Sequence, residues 1–206
     1  MLAAEDDYLL FLATGNDRFR RFTTFHSQGA YFDGENIINM SLKVDSKGKM
    51  GKLPWQTFFH EYGHLVDREM SKFVVAEQRG VRYLTESESF GRKFHFTLSR
   101  EYSKLLKKDG TLRKSVYDAL VKDDSTAGIQ DIIDGLSRSK NRIRWGHGKE
   151  YWERAGLSKA WTQVNVEAFA NMSDAWSNPK VAKHFKKYFP ESYKFFKEEV
   201  MKHVKG

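Results

Sequence analysis

The sequence predicts an α+β fold that is mostly helical and carries a small antiparallel or mixed sheet. Between residues 20 and 42, short apolar stretches alternate with other residues and are separated by turn-like Gly29 and Asp33-Gly34, which is typical of two or three short strands. From residue 54 onward, apolar residues recur at helical spacing. The 206 residues are 40% hydrophobic and contain no repeat, so we expect one domain, residues 1–206, around one core.

The predicted elements fall into four regions. Residues 1–53 hold the strands, preceded by an apolar helix at about residues 5–14. A helix at residues 54–70 begins at a proline, which suits a first helical turn, and a short strand follows at 73–76. Residues 86–138 form a helical insertion, and residues 146–206 complete the fold. The helices predicted in these last two regions span about residues 86–108, 112–123, 127–137, 149–154, 161–176, 181–188 and 190–204.

Composition narrows the chemistry that the chain can perform. The absence of Cys excludes disulfides, thiolate zinc fingers, iron–sulfur clusters and a cysteine nucleophile, so any metal site must use His, Asp or Glu. The net charge of +8 is spread along the chain, and nucleic acid is not the expected partner. No secretory signal is seen, and no apolar stretch approaches the roughly 20 residues that cross a bilayer. We therefore expect a soluble, cytoplasmic protein with no membrane partner.

The helix at residues 54–70 contains the motif His60-Glu61-Tyr62-Gly63-His64, which reads His-Glu-x-x-His. Because residues four apart share a helix face, His60 and His64 can present two imidazoles to one metal ion with Glu61 beside them. Zinc suits such a site because it binds imidazole and carboxylate ligands and lowers the pKa of a bound water to about 7. Glu61 would then accept a proton from that water as it attacks a carbonyl.

A catalytic zinc site needs a third protein ligand. Glu167 is the candidate because it lies in a strongly apolar helical segment, residues 166–172, where a charge needs a partner. Asp67 and Met70 stand where the metzincin class has Gly and His, so that class is excluded. Asp67 is expected either to orient a ligand from outside the metal shell or to cap the end of the helix.

These two motifs carry a resemblance to a known family. The motif helix, with Asp67 three residues after His64, and the later Glu167-Ala168-Phe169-Ala170 resemble the gluzincin metallopeptidases, most closely the peptidase domain type of anthrax lethal factor. The resemblance implies a zincin-like fold, a Zn²⁺ cofactor and a peptide or protein substrate. It also implies that His60, His64 and Glu167 are the metal ligands.

Residues 146–152 are similar to a stretch in related domains of minor head proteins of tailed bacteriophages. This second likeness implies phage structural proteins as partners and a virion-associated location as an alternative to the cytoplasm. One feature departs from the lethal factor type, in which a catalytic Tyr lies seven residues before the Glu ligand. The matching position in this sequence is Ala160.

Peptide hydrolysis also requires a group that stabilises the oxyanion. His147 and Tyr151, four apart after a glycine-flanked turn, are the candidates, whereas the alternative places Tyr151 in the core and His147 in a surface loop. An extended substrate could add a strand at residues 37–41 if that strand lies at the sheet edge, and an interior strand is the alternative. The basic clusters could meet anionic partners or form solvated helix faces, and they span residues 104–108, 138–144 and 183–187.

The sequence therefore predicts a zinc metalloendopeptidase in which His60, His64 and Glu167 bind the metal and Glu61 activates water, with His147 and Tyr151 as further catalytic residues. The alternative is a catalytically weak or inactive zincin-fold module with a structural or interaction role in a phage or mobile element.

Overall fold

The structure is a computed structural model that describes residues 23–25, 31–32, 38–40, 54–74, 81–153 and 161–204. The N-terminal helix predicted at residues 5–14 lies outside these residues. Within them the chain forms eight α-helices and two short 3-10 turns, at Leu84–Glu86 and Asp124–Thr126. No helix of this described part is both long and apolar enough to cross a membrane. The helices are α1 (Pro54–Val74), α2 (Gly91–Ser103), α3 (Lys114–Val121), α4 (Ala127–Leu136), α5 (Lys149–Trp152), α6 (Thr162–Ser177), α7 (Pro179–Tyr188) and α8 (Pro190–Val204).

The prediction of an α+β fold class is wrong, because the described residues are mostly helical and contain no sheet layer. Three segments pair as strands, β1 (Thr23–Phe25), β2 (Tyr31–Phe32) and β3 (Ile38–Met40), but each is only two or three residues long. Strands of about five or six residues are usual in a sheet that supports packed helices. The alternating stretches in the sequence therefore predicted strands, but these strands are too short to form a sheet layer.

Strand pairing also overturns the predicted substrate edge. The order is β1-β3-β2, with β3 parallel to β1 and antiparallel to β2. Because β3 has a paired strand on each side, residues 38–40 do not form the free edge expected at residues 37–41. The strand predicted at residues 73–76 is wrong where the structure describes it, since α1 continues through Val74. Extending an existing helix by a turn avoids the cost of starting a new element.

The helices predicted from residue 112 onward begin and end within two residues of those observed. The longest predicted helix, at residues 86–108, is shorter in the structure, where α2 spans Gly91–Ser103. After α2 the chain turns back and pairs Leu106 with Leu112. This turn keeps Leu105 and Leu112 buried. Apolar residues therefore continue in the sequence past the end of the helix, which explains why the predicted helix is too long.

Helix α1 packs chiefly against α6, and a glycine allows the close approach. A Cβ atom on Gly63 would lie 2.7 Å from Ala170 Cα and 2.8 Å from Ser173 Cβ, closer than such atoms can come. Leu65 and Val66 of α1 are buried in the same core. The two helices that carry the predicted metal ligands are therefore in direct backbone contact.

Asp67 performs neither of the two roles expected for it. Its carboxylate is fully buried and accepts hydrogen bonds from the Thr85 backbone N–H at 2.9 Å and from Thr85 Oγ1 at 2.6 Å. Asp67 thus ties α1 to the 3-10 turn Leu84–Glu86. Its contribution is to the packing of the fold around the motif helix, since an unmade hydrogen bond in the core is costly.

Glu101 gives a stability prediction, because this buried carboxylate of α2 holds the start of α8. It accepts hydrogen bonds from the backbone N–H groups of Glu191 at 2.7 Å and Ser192 at 3.0 Å, and from the Ser192 hydroxyl. Glu101→Gln turns an amide NH₂ toward these donors, and we expect it to lower the free energy of unfolding by about 2–4 kcal/mol in urea denaturation. Glu198→Gln, at an exposed ion pair with Lys194, is the control and should change it by less than about 1 kcal/mol. Equal effects of the two variants would contradict this assignment.

Candidate metal centre

The structure brings His60 and His64 of α1 against Glu167 of α6. Glu167 Oε2 lies 3.2 Å from His60 Nε2 and 3.7 Å from His64 Nε2. The two imidazole rings are perpendicular, with centroids 4.9 Å apart, so their Nε2 atoms approach the carboxylate from different directions. One potential ligand atom from each of the three residues lies within 4.8 Å of the other two. All three predicted ligands are therefore gathered at one point between two helices.

These residues fit a zinc ion by distance and by chemistry. Tetrahedral zinc with bonds of about 2.0–2.1 Å separates its ligand atoms by about 3.3 Å, close to the two distances at Glu167 Oε2. That oxygen is buried and accepts no hydrogen bond from the described residues. A buried carboxylate oxygen without a hydrogen bond is costly, and a cation beside it would offset that cost. Two imidazoles and one carboxylate are a known donor set of catalytic zinc.

Charge and burial act against each other in this cluster. Burial disfavours the imidazolium at His60, but the negative charge of the adjacent Glu167 carboxylate outweighs burial and raises the pKa of His60 to about 9. Burial dominates at His64 and lowers its pKa to about 4. Burial would raise the pKa of Glu167, yet the neighbouring His64 and His60 hold it well below its usual range. At neutral pH Glu167 is ionised and His64 is neutral, which are the forms that bind a metal, whereas His60 carries a proton that a bound metal would displace.

Glu61 lies beside the ligand cluster on α1. It is buried, with 9% of its surface exposed. Its negative charge contributes to the raised pKa of His60, its neighbour in the chain. Its role as a general base stays a prediction from the sequence motif.

Tyr151 of α5 reaches the same site. Its side chain is half-buried, and its hydroxyl donates a hydrogen bond to Glu167 Oε1. Gln163 Nε2 donates to the Tyr151 hydroxyl oxygen at 2.6 Å and lies 3.3 Å from Glu167 Oε1. With Oε1 engaged by Tyr151 and Gln163, the other carboxylate oxygen is the one that faces His60 and His64.

His147 lies next to Tyr151 and contacts the carboxylate of Asp131, which was not predicted as a site residue. The two rings stack with centroids 3.9 Å apart, and His147 Nδ1 lies 2.8 Å from Asp131 Oδ1 of α4. Burial alone would lower the pKa of His147. The hydrogen bond and negative charge of Asp131 outweigh burial, so the pKa of His147 is raised. The side chain of His147 remains 38% exposed. An oriented imidazole thus borders the cluster from the solvent side.

The loop that carries His147 is shaped by two glycines and fixed by Asp134. Gly146 and Gly148 have φ angles of 149° and 83°, which side-chain-bearing residues rarely adopt. Asp134 Oδ2 accepts hydrogen bonds from the Gly148 backbone N–H and from Trp152 Nε1, both at 2.8 Å. His147 is therefore placed by a rigid turn. Ala160, the position of the family's catalytic Tyr, lies outside the described residues.

Two site residues, Gln163 and Asp131, were not predicted, although the sequence carries a signal for each. Gln163 precedes Glu167 by one helical turn, so its side chain shares a face with the predicted ligand. Asp131 lies among Ile residues in α4, and the reasoning that singled out Glu167, that a carboxylate in an apolar helix needs a partner, applies equally to it.

Comparisons with family models, curated proteins and solved structures find no match to this chain. The resemblance to gluzincins therefore rests on two short sequence motifs. Function must be inferred from the side chains of the cluster and their geometry.

Proposed function

We propose that this protein is a zinc-dependent metallopeptidase of the gluzincin type that hydrolyses peptide bonds. The observation that carries the proposal is the convergence of His60 Nε2, His64 Nε2 and Glu167 Oε2 at distances that suit tetrahedral zinc. The buried carboxylate of Glu61 beside these ligands favours hydrolysis over a purely structural metal site.

The residues of the cluster divide into four roles. His60, His64 and Glu167 would hold the metal. Bound zinc would polarise the substrate carbonyl and lower the pKa of a water molecule. Glu61, next to His60 on the motif helix, would accept the proton from that water and deliver it to the leaving amine.

His147 and Tyr151 supply hydrogen-bond donors for the oxyanion, which takes up charge in the transition state. The Tyr151 hydroxyl turns from Glu167 Oε1 to the oxyanion, while Gln163 keeps its hydrogen bond to the same carboxylate oxygen. Asp131 is a positioning residue: it fixes the ring of His147 and favours its protonated form. Tyr151 thereby takes the place of the Tyr that the family has at the position of Ala160.

Metal removal and restoration test the proposal. The natural protein, loaded with zinc, is incubated with an unbiased peptide mixture, and new termini are identified by mass spectrometry. We expect about one zinc per chain, cleavage that stops when 1,10-phenanthroline removes the metal, and recovery when zinc is returned. Cleavage that persists in the metal-free protein would overturn the proposal.

The second candidate is a zincin-type module with a structural or interaction role, for instance beside phage structural proteins in a virion. It is favoured by Ala160 at the position of the family's catalytic Tyr. Stoichiometric zinc that raises the melting temperature, combined with no cleavage of any peptide in the mixture, would support this candidate over the peptidase.

A further inference from the structure

A basic groove of about 450 Å³ lies near the start of α3. One wall is formed by the turn between α2 and α3, with Lys107, and the other by the segment after α4, with Lys140 and Arg142. Lys114 of α3 and the half-exposed ring of Tyr117 also line the groove. These residues define the groove that we call the basic groove.

The charge of the basic groove is strongly one-sided. Four cationic side chains line it, and its only carboxylate is Asp118, which pairs with Lys114 at 2.8 Å. Lys107 and Lys140 are exposed and form no ion pair with any residue that the structure describes. Several like charges around one concave surface attract anionic ligands more strongly than the same charges spread apart.

The walls of the groove are fixed before any ligand binds. Asn141 Nδ2 donates to the Tyr102 hydroxyl at 2.6 Å and to the Gly110 carbonyl at 3.0 Å, which ties one wall to the other. The Lys107 backbone N–H donates to the Thr111 carbonyl at 2.8 Å and closes the turn between them. A ligand therefore meets a preformed surface, which lowers the entropic cost of binding.

Arg142 connects the basic groove to the candidate metal centre. Its guanidinium donates to the Gly146 carbonyl at 3.1 Å, and a Cβ atom on Gly148 would lie 3.0 Å from Arg142 Nη1. His147 stands between these two glycines. The groove and the loop that presents His147 thus share one wall, so a chain bound in the groove lies next to the site.

The chemistry of the groove favours an acidic peptide over single-stranded nucleic acid. Proteins that bind single strands without sequence preference use several aromatic rings on which successive bases stack. Only Tyr117 offers a ring among the residues that line this groove, and it is 46% exposed. Carboxylates, by contrast, need only the separated cations that Lys107, Lys140 and Arg142 provide.

We propose that the basic groove binds an acidic segment of a peptide substrate and so gives the peptidase a preference for substrates with Asp or Glu clusters beside the cleaved bond. The preference in cleavage rests on the proposed function, whereas the binding of the acidic segment does not.

Binding is measured first, with Glu61→Gln protein and a fluorescein-labelled decapeptide rich in Glu, by fluorescence anisotropy at about 50 mM and 150 mM salt. The double variant Lys107→Glu/Lys140→Glu should weaken binding about tenfold or more at the lower salt. The control Lys183→Glu/Lys186→Glu makes the same change in net charge on another basic cluster and should weaken binding less than about twofold. Equal losses in both double variants, or no loss in the first, would overturn the proposal. Tighter binding of a uridine decamer than of the peptide, lost in the groove variant, would also overturn it in favour of nucleic acid.

Cleavage is measured second, with zinc-loaded protein that retains Glu61. For an acidic peptide, the groove variant should raise KM about tenfold with little change in kcat, while zinc content and cleavage of a neutral peptide stay unchanged. Loss of cleavage of both peptides together would overturn the specificity role. If the natural protein cleaves neither peptide, the proposed function fails, and the anisotropy result alone decides whether the groove binds acidic segments.

Discussion

Glu61→Gln is expected to lower kcat/KM for peptide cleavage by about 10³-fold while about one zinc per chain is retained. General base catalysis contributes about 10²–10⁴-fold, and the amide of Gln cannot accept a proton at neutral pH. A loss of 10³-fold corresponds to about 4 kcal/mol of transition-state stabilisation. The measurement is the cleavage rate of a quenched fluorescent peptide, alongside elemental analysis of the same preparation.

Glu150→Gln is the matched control for this experiment. Glu150 lies on α5, one residue before Tyr151, and its side chain is exposed. The same chemical change there should leave the rate within about twofold, since exposed substitutions away from the reacting groups have small effects. Retention of full activity by Glu61→Gln would show that another group acts as the base.

Glu167→Ala is expected to abolish stoichiometric zinc binding, with an affinity at least about 10³-fold weaker than in the natural protein. The variant removes the carboxylate oxygen that lies between the two imidazoles and leaves only two protein ligands. Zinc affinity is measured by competition with a chromophoric chelator, and circular dichroism checks that the helices remain. Glu153→Ala, at an exposed residue after α5, is the control and should bind zinc as tightly as the natural protein.

A graded result is expected for Gln163, which contacts the ligand without binding metal. Gln163→Ala removes a donor to Glu167 Oε1 and to Tyr151, and partners of this kind contribute about 10–100-fold to metal affinity. Gln163→Glu should weaken zinc binding further, because it places a second negative charge beside Oε1 without a donor. An affinity for Gln163→Glu equal to that of the natural protein would remove Gln163 from the site.

Local patterns were enough to single out the three residues that the structure gathers in the candidate metal centre. His60 and His64 share a helix face by spacing alone, and Glu167 was singled out because an apolar helix does not tolerate an unpartnered carboxylate. Both signals lie within a few residues of sequence. Where such local signals exist, the site is predictable even though its two halves are about a hundred residues apart in the chain.

Other features depend on contacts that a single sequence does not encode in its local pattern. Asp131 meets His147 across 16 residues, and Asp67 meets Thr85 across 18, so their partners become visible only in the fold. The predicted sheet failed for a related reason. Alternation over two or three residues does not distinguish a strand that builds a layer from a short extended segment.

Gly63 shows that the candidate metal site depends on the distance between two backbones as well as on the three residues that would hold the metal. With no Cβ at this position, α1 and α6 meet directly, and a methyl group would have to push Ala170 and Ser173 away. Glu167 lies one turn before Ala170 on the same helix, so any such displacement would change the distances from its carboxylate to both imidazoles. The proposed zinc site is therefore under steric control from a residue that has no side chain. We expect a screen for variants that no longer bind zinc to find substitutions of Gly63 as well as substitutions of His60, His64 and Glu167.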